Sequence, residues 1–193
     1  MSVWFQVTDP AAPEHVAAVL TALRGAVARC GSTRVVAVDG PSGSGKTTLA
    51  LGLRDELGCP VVHMDELYPG WDGLARAVPL LVEQVLAPLS RGEEGHYRLW
   101  DWEADAWDGT RPVRPGPLLL VEGCGSSVGP AGGYAAVRVW VEAPRAERMR
   151  RGVARDGEAF RPHWERWARQ EEALFGRDGT REAADVVVST EGR

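Results

Sequence analysis

The chain carries a single lysine, Lys46, inside Gly40-Pro41-Ser42-Gly43-Ser44-Gly45-Lys46-Thr47, a complete G-x-x-x-x-G-K-[ST] phosphate loop. Apart from histidine, every other basic residue is arginine. A composition so biased toward guanidinium keeps an ammonium only where a compact point charge on a flexible stem is needed, as between β- and γ-phosphate oxygens. A chance match to the motif in this composition has a probability on the order of one in a thousand. The context also fits. Residues 34–39 are a β-branched apolar run that reads as a buried strand, and residues 47–57 read as the helix that follows. In that setting the backbone N–H groups of Gly40, Ser42, Gly43, Ser44, Gly45, Lys46, Thr47 and Thr48 can turn toward phosphate oxygens. The helix N-terminus adds partial positive charge, and the Thr47 hydroxyl can serve Mg²⁺.

Two acids fall at strand ends. Asp65 follows the short apolar run 61–64, and Glu122 ends the run 118–121. An acid at a strand end is ordinarily a solvent-facing residue. Here both lie at the sheet edge that carries the phosphate loop, where ligands of parallel sheets bind. Phosphoryl transfer needs a metal-neutralised triphosphate and a carboxylate to orient the attacking hydroxyl and take its proton. The apolar-run-then-acid form of residues 118–122 is that of a Walker B segment and assigns Glu122 to the metal, leaving Asp65 as the base.

Arg148, Arg151 and Arg155 recur at i, i+3 and i+7 and share a helical face. They read either as a solvated helix ion-paired to Glu147 and Asp156, or as a mobile lid delivering guanidinium groups to the phosphates, with Arg161 across the turn. Eight tryptophans are many for 193 residues. Trp71, Trp100, Trp102 and Trp107 crowd the region between the second and third strands. Tryptophans usually pack cores and rims, but the interspersed acids Asp72, Asp101, Glu103 and Asp105 also suit an acceptor pocket with aromatic walls. His15, His63, His96 and His163 show no triad or metal spacing and read as structural.

The elements that must position these groups follow from periodicity. A helix is predicted over residues 13–29, on Val16, Val19, Leu20, Leu23 and Val27. Further helices are predicted over 74–89, where Pro79 marks a kink or break, and over 145–155 and 162–175. Residues 137–141 and 184–188 complete five strands. Segments 111–117 and 123–133 read as loops. Short apolar strands separated by helices imply a parallel sheet covered on both faces.

The bulk numbers set bounds. A length of 193 residues fits one domain, a net charge of −5 argues against a broad nucleic-acid or anionic-membrane surface, and no apolar run approaches a membrane span. Three scattered cysteines and an N-terminus without a basic-then-apolar pattern lead to the expectation of a cytoplasmic protein without structural zinc.

From residue 34 to residue 189 the chain resembles the uridine kinase-like branch of P-loop small-molecule kinases. The resemblance rests on Val38-Asp39-Gly40 through Thr48, on Asp65-Glu66-Leu67-Tyr68, on Val121-Glu122-Gly123, on the arginine-rich run Arg148 to Asp156, and on Ala184-Asp185-Val186-Val187. It implies a three-layer P-loop NTPase fold with a helical lid over about 145–175. It also implies ATP and Mg²⁺ as cofactors, Asp65 as general base, Lys46 and Thr47 as triphosphate and metal ligands, and Arg155 and Arg161 as lid residues. The family's Tyr-Asp-Phe nucleoside segment has its nearest match in Trp100-Asp101-Trp102, with Asp105 where the family has a base-reading histidine, and Asp72 matches its sugar-binding acid. The expected function is therefore ATP- and Mg²⁺-dependent transfer of a phosphoryl group to a hydroxyl of a small molecule. Tyr68, Trp71, Asp72, Trp100, Asp101 and Asp105 are its candidate acceptor residues, and pyrimidine nucleosides are expected to be poor acceptors. A hydrolysing NTPase and a nucleotide-gated binding module are the alternatives; the sequence leaves the oligomeric state open.

Overall fold

A computed structural model describes residues 10–157 and 161–192, apart from the side chain of Asp156. The N-terminal run 1–9 and the Asp156 ion pair considered above lie outside that description. Five strands form one parallel sheet: β1 (Arg34–Asp39), β2 (Val61–His63), β5 (Leu118–Glu122), β6 (Ala135–Glu142) and β7 (Val186–Ser189), in the order β2-β5-β1-β6-β7. Both faces are covered, and each central strand alternates between them. Val36 and Val38 of β1, with Leu118 and Leu120 of β5, pack against Val19 of α1 (Pro13–Arg24) and Leu49 and Leu53 of α2 (Lys46–Leu57). Val35, Leu119 and Val121 face the opposite cluster, with Leu74 and Leu81 of α3 (Leu74–Leu81) and with Trp167. Burying one such side chain is worth about 1.5–3 kcal/mol, so the two apolar layers fix the register. That register sets Val38 of β1 and His63 of β2 on either side of Glu122, at the carboxyl edge.

Several predicted elements differ. Helix α1 stops at Arg24 rather than residue 29, because Gly25 ends it and Val27 is left 71% exposed. Pro79 does not break its helix. The chain runs from α3 through a widened π turn, Val82–Leu86, into α4 (Ala87–Ser90), and burial of Val85 and Leu86 holds the irregular turn. Residues 111–113 are not loop but the end of a strand. β3 (Gly95–Asp101) and β4 (Ala106–Val113) form an antiparallel hairpin outside the main sheet. Its β4 strand is largely exposed and contains Pro112, which only an edge strand tolerates, so the apolar alternation that marks a buried strand is missing. Within 123–133 a short helix, α5 (Pro130–Tyr134), begins, and the last strand starts at Val186 instead of residue 184. Helices α6 (Arg145–Asp156) and α7 (Arg161–Asp178) match the predicted pair. Among the described residues no helix is long and apolar enough to cross a membrane.

Candidate active site

The phosphate loop joins β1 to α2 and is clamped from outside. Gly43 has φ +76°, and a Cβ there would lie 2.3 Å from the Arg148 carbonyl oxygen. At Gly40, φ +135°, it would lie 2.1 Å from the Val141 carbonyl oxygen. Only glycine meets both demands. Lys46 opens α2 and its Nζ folds back to donate to the Pro41 carbonyl at 3.0 Å. Burial works against the ammonium charge, but the surrounding Cys124, Glu171, Glu122 and Asp39 outweigh it and raise its pKa.

Thr47 and Glu122 meet across the sheet edge. The Thr47 hydroxyl lies 3.4 and 3.3 Å from the two carboxylate oxygens of Glu122, which is 1% exposed. His63 Nδ1 lies 2.6 Å from Glu122 Oε1. Burial lowers the imidazole pKa, yet the hydrogen bond and charge of Glu122, with Glu66 and Asp65 behind, raise it overall. The sequence reads His63 as structural because its partner is 59 positions away; the strand register brings the two together.

Asp65 lies just past β2, in a single 3₁₀ turn, Met64–Glu66, rather than on the strand. Its carboxyl is pushed above the usual carboxylate range, first by burial and then by Glu122, while Arg155, Lys46 and His63 pull the other way. Asp65, Glu122, Lys46, His63 and Arg155 thus share one electrostatic neighbourhood. Glu66 beside it ties the turn to the hairpin, accepting from the Tyr97 hydroxyl at 2.6 Å and from Arg111 at 2.6 and 2.7 Å.

The predicted lid arginines divide into two groups. Arg148 donates to the Ser42 carbonyl at 3.2 Å, and Arg151 donates to the Gly43 carbonyl at 3.3 Å and to Thr190 Oγ1 at 2.8 Å. Both brace the carbonyl side of the loop. Arg155 is exposed on α6, and Arg161 is exposed where α7 begins. Glu171 of α7 went unremarked in the sequence. It is 3% exposed, accepts the Ser42 N–H at 2.6 Å and the Cys124 thiol at 3.2 Å, and lies 3.6 Å from Arg148. A signal was present: Trp164, Trp167, Ala168 and Glu171 fall at i, i+3, i+4 and i+7, which puts Glu171 on the buried face of its helix.

Asp39 is a further missed residue. Its Oδ1 accepts the Gly40 and Gly125 amides at 2.7 and 2.8 Å, and its Oδ2 accepts the Ser127 amide and hydroxyl at 2.8 and 2.9 Å. Burial raises its pKa against those four bonds. The carboxylate fastens the loop after β5 to the start of the phosphate loop.

The tryptophan-rich region is partly assembled. Trp102 Nε1 donates to the Asp65 carbonyl at 2.7 Å, and Trp71 meets Trp102 edge-on at 5.0 Å while stacking on His163 at 4.3 Å. A Cβ on Gly70 would meet Asp105 Oδ1 at 3.4 Å and the Trp100 ring at 3.7 Å, so the hairpin tip abuts the turn that follows Asp65. The other candidates have structural partners. Tyr68 is buried and its hydroxyl donates to the Cys124 carbonyl at 2.8 Å. Asp101 caps its own turn, accepting the amides of Glu103 and Ala104 at 2.8 and 2.9 Å, and Asp72 pairs with Arg166.

No protein-family profile matches the sequence, and no curated protein does. Solved structures do. The chain is similar to a protein from Bacillus stearothermophilus described as a "Possible Uridine Kinase", with TM-score 0.67 and 20% identity over 91% of this chain and 98% of that one. It is also similar to a candidate fructose transport system kinase from Silicibacter sp. TM1040, with TM-score 0.54 and 22% identity over 97% and 98% of the two chains. The fold is that of the P-loop kinases, with its five-stranded parallel sheet and surrounding helices.

Proposed function

We propose that the protein is an ATP- and Mg²⁺-dependent phosphotransferase that moves the γ-phosphoryl group to a hydroxyl of a small molecule. The observation that carries this reading is the convergence of Thr47, both oxygens of Glu122, Lys46 and the Asp65 carboxyl beside one phosphate loop. A hydroxyl and a carboxylate side by side are the hard oxygen donors that Mg²⁺ prefers, so these residues fit that ion. When bound, Mg²⁺ supplies neutralisation of the phosphate charge. The chain's own groups do the rest. Lys46 and the loop amides hold the β- and γ-phosphates, and His63 fixes the rotamer of Glu122. Asp65 orients the acceptor hydroxyl and takes its proton at a carboxylate oxygen. Arg155 brings positive charge to the reacting end.

The acceptor lies against the wall of Trp71 and Trp102, whose bond to the Asp65 backbone sets the height of the carboxylate. Asp105, whose Oδ1 lies beside Gly70 and the Trp100 ring at the hairpin tip, suits an acceptor hydroxyl or amine. Thermal shift with a non-hydrolysable ATP analogue, Mg²⁺ and a panel of nucleosides, sugars and amino-alcohols tests the reading, because a true acceptor stabilises the folded ternary complex further. Stabilisation by the analogue with no member of a broad panel adding to it, together with acceptor-independent hydrolysis, favours a simple NTPase instead.

A further inference from the structure

Triphosphate polarity along the loop fixes where its nucleoside must go. Lys46 and the Asp65–Glu122 edge take the γ end, and the first amides of α2, at Thr47 and Thr48, take the α end. The nucleoside therefore leaves past Gly45 and Thr48. At that point the structure holds a cavity of about 340 Å³, inside the range of roughly 300–1,000 Å³ typical of small-molecule sites. Thr190, Arg150 and Arg151 form one wall, and Ala12 and His15 of the N-terminal helical segment form the other.

The cavity is firmly built. Thr190 is fixed by its amide to Glu142 (2.9 Å) and its hydroxyl to Ser44 (2.8 Å), and it receives Arg151. Helix α1 is held to the sheet by Val16, Val19 and Leu23. Its lead-in lies close on α2: a Cβ on Gly52 would come within 2.5 Å of the Ala11 methyl. His15 is half-buried, with its amide bonded to the Ala12 carbonyl at 3.0 Å, so its backbone is held in the first turn.

Resting on the phosphate-loop reading, we propose that α1 completes the nucleoside pocket and that His15 makes it select adenine over guanine. The chemistry is in the lining. Guanine presents adjacent N–H donors on its Watson–Crick edge and binds where a carboxylate can accept both; among the described residues no Asp or Glu lines this cavity. Adenine presents one amino donor beside ring-nitrogen acceptors. An imidazole, with one donor and one acceptor, complements that pattern, whereas the Arg150 guanidinium can serve acceptors on either purine. The phosphate loop alone is indifferent to the base, so selection falls to these walls.

Calorimetric titration of the whole chain and of His15→Ala and His15→Glu with MgATP, MgGTP and magnesium tripolyphosphate tests this. Wild type is expected to bind MgATP at least about tenfold more tightly than MgGTP or tripolyphosphate. His15→Ala is expected to lose about tenfold for MgATP with tripolyphosphate unchanged, and His15→Glu to narrow the ATP-over-GTP ratio by about tenfold. Equal wild-type affinity for MgATP and tripolyphosphate, or for MgATP and MgGTP, overturns the proposal while leaving the phosphate loop intact. So does an unchanged ratio of MgATP to tripolyphosphate affinity in both variants. Failure of the wild type to bind tripolyphosphate or any nucleotide overturns instead the reading on which the proposal rests.

Discussion

Asp39→Asn removes one acceptor from a buried carboxylate that serves four donors. In the best orientation the amide oxygen keeps the Gly40 and Gly125 N–H groups, and the new NH₂ faces Ser127. The Ser127 hydroxyl can rotate to accept from it. The Ser127 backbone N–H cannot, and becomes an orphaned buried donor at a cost of about 1–3 kcal/mol. Burial disfavours the charged carboxylate, as the raised pKa records, so neutralising it returns part of that loss. The net destabilisation is expected at about 1–2 kcal/mol, which for a chain of this size lowers Tm by about 2–8 °C. Asp39→Ala orphans three backbone amides and must be worse. Thermal unfolding followed by tryptophan fluorescence and circular dichroism measures both. An Asn variant as stable as wild type, or an Ala variant better than Asn, refutes the claim that this carboxylate holds the two loops together.

Other outcomes follow from the same geometry. Lys46→Ala is expected to abolish transfer and also to cost stability, because the ammonium balances Glu171, Glu122 and Asp39; Lys46→Arg should be nearly as inactive, as steady-state assays will show. Asp65→Asn should lower kcat by about 10²-fold with near-normal ATP binding, since only the proton acceptor is lost. Because burial and Glu122 raise the Asp65 pKa and its ionised form is the active one, the acid limb of the wild-type kcat/KM profile is expected above the ordinary aspartate value of about 3.9. A limb at or below that value would contradict the assignment. Cys30, pushed up to about 11 by burial, is about one part in a thousand thiolate at pH 8. Cys59 and Cys124 are buried and raised as well, so Ellman's reagent should titrate none of the three until the protein unfolds.

The sheet was legible because its central strands β1 and β5 are buried on both faces and read as nearly unbroken apolar runs. The phosphate loop was legible because its chemistry depends on residues contiguous in sequence. The hairpin was not: β4 is largely exposed and carries Pro112, and in β3 the alternation is confined to buried Gly95 and Tyr97 between exposed His96 and Arg98, too short and too polar to read as a strand. Partners brought together by folding were equally hidden, as with His63 and Glu122, Asp39 and Ser127, or Glu171 and Ser42. Acids Asp72 and Asp101 read from sequence as free ligands, whereas the fold gives one to Arg166 and the other to its own turn. Spacing marked Arg148, Arg151 and Arg155 as one helical face but could not say that the first two grip loop carbonyls.

The central claim is that phosphoryl transfer, not hydrolysis, occurs where Lys46, Glu122 and Asp65 converge. Its most direct test is a single-turnover reaction with γ-labelled ATP, Mg²⁺ and the acceptor that most stabilises the ternary complex, run with wild type and Asp65→Asn. The account requires the label to appear on the acceptor with wild type and about 10²-fold more slowly with Asp65→Asn. Label released only as inorganic phosphate, at a rate independent of acceptor and equal in the two proteins, would contradict it.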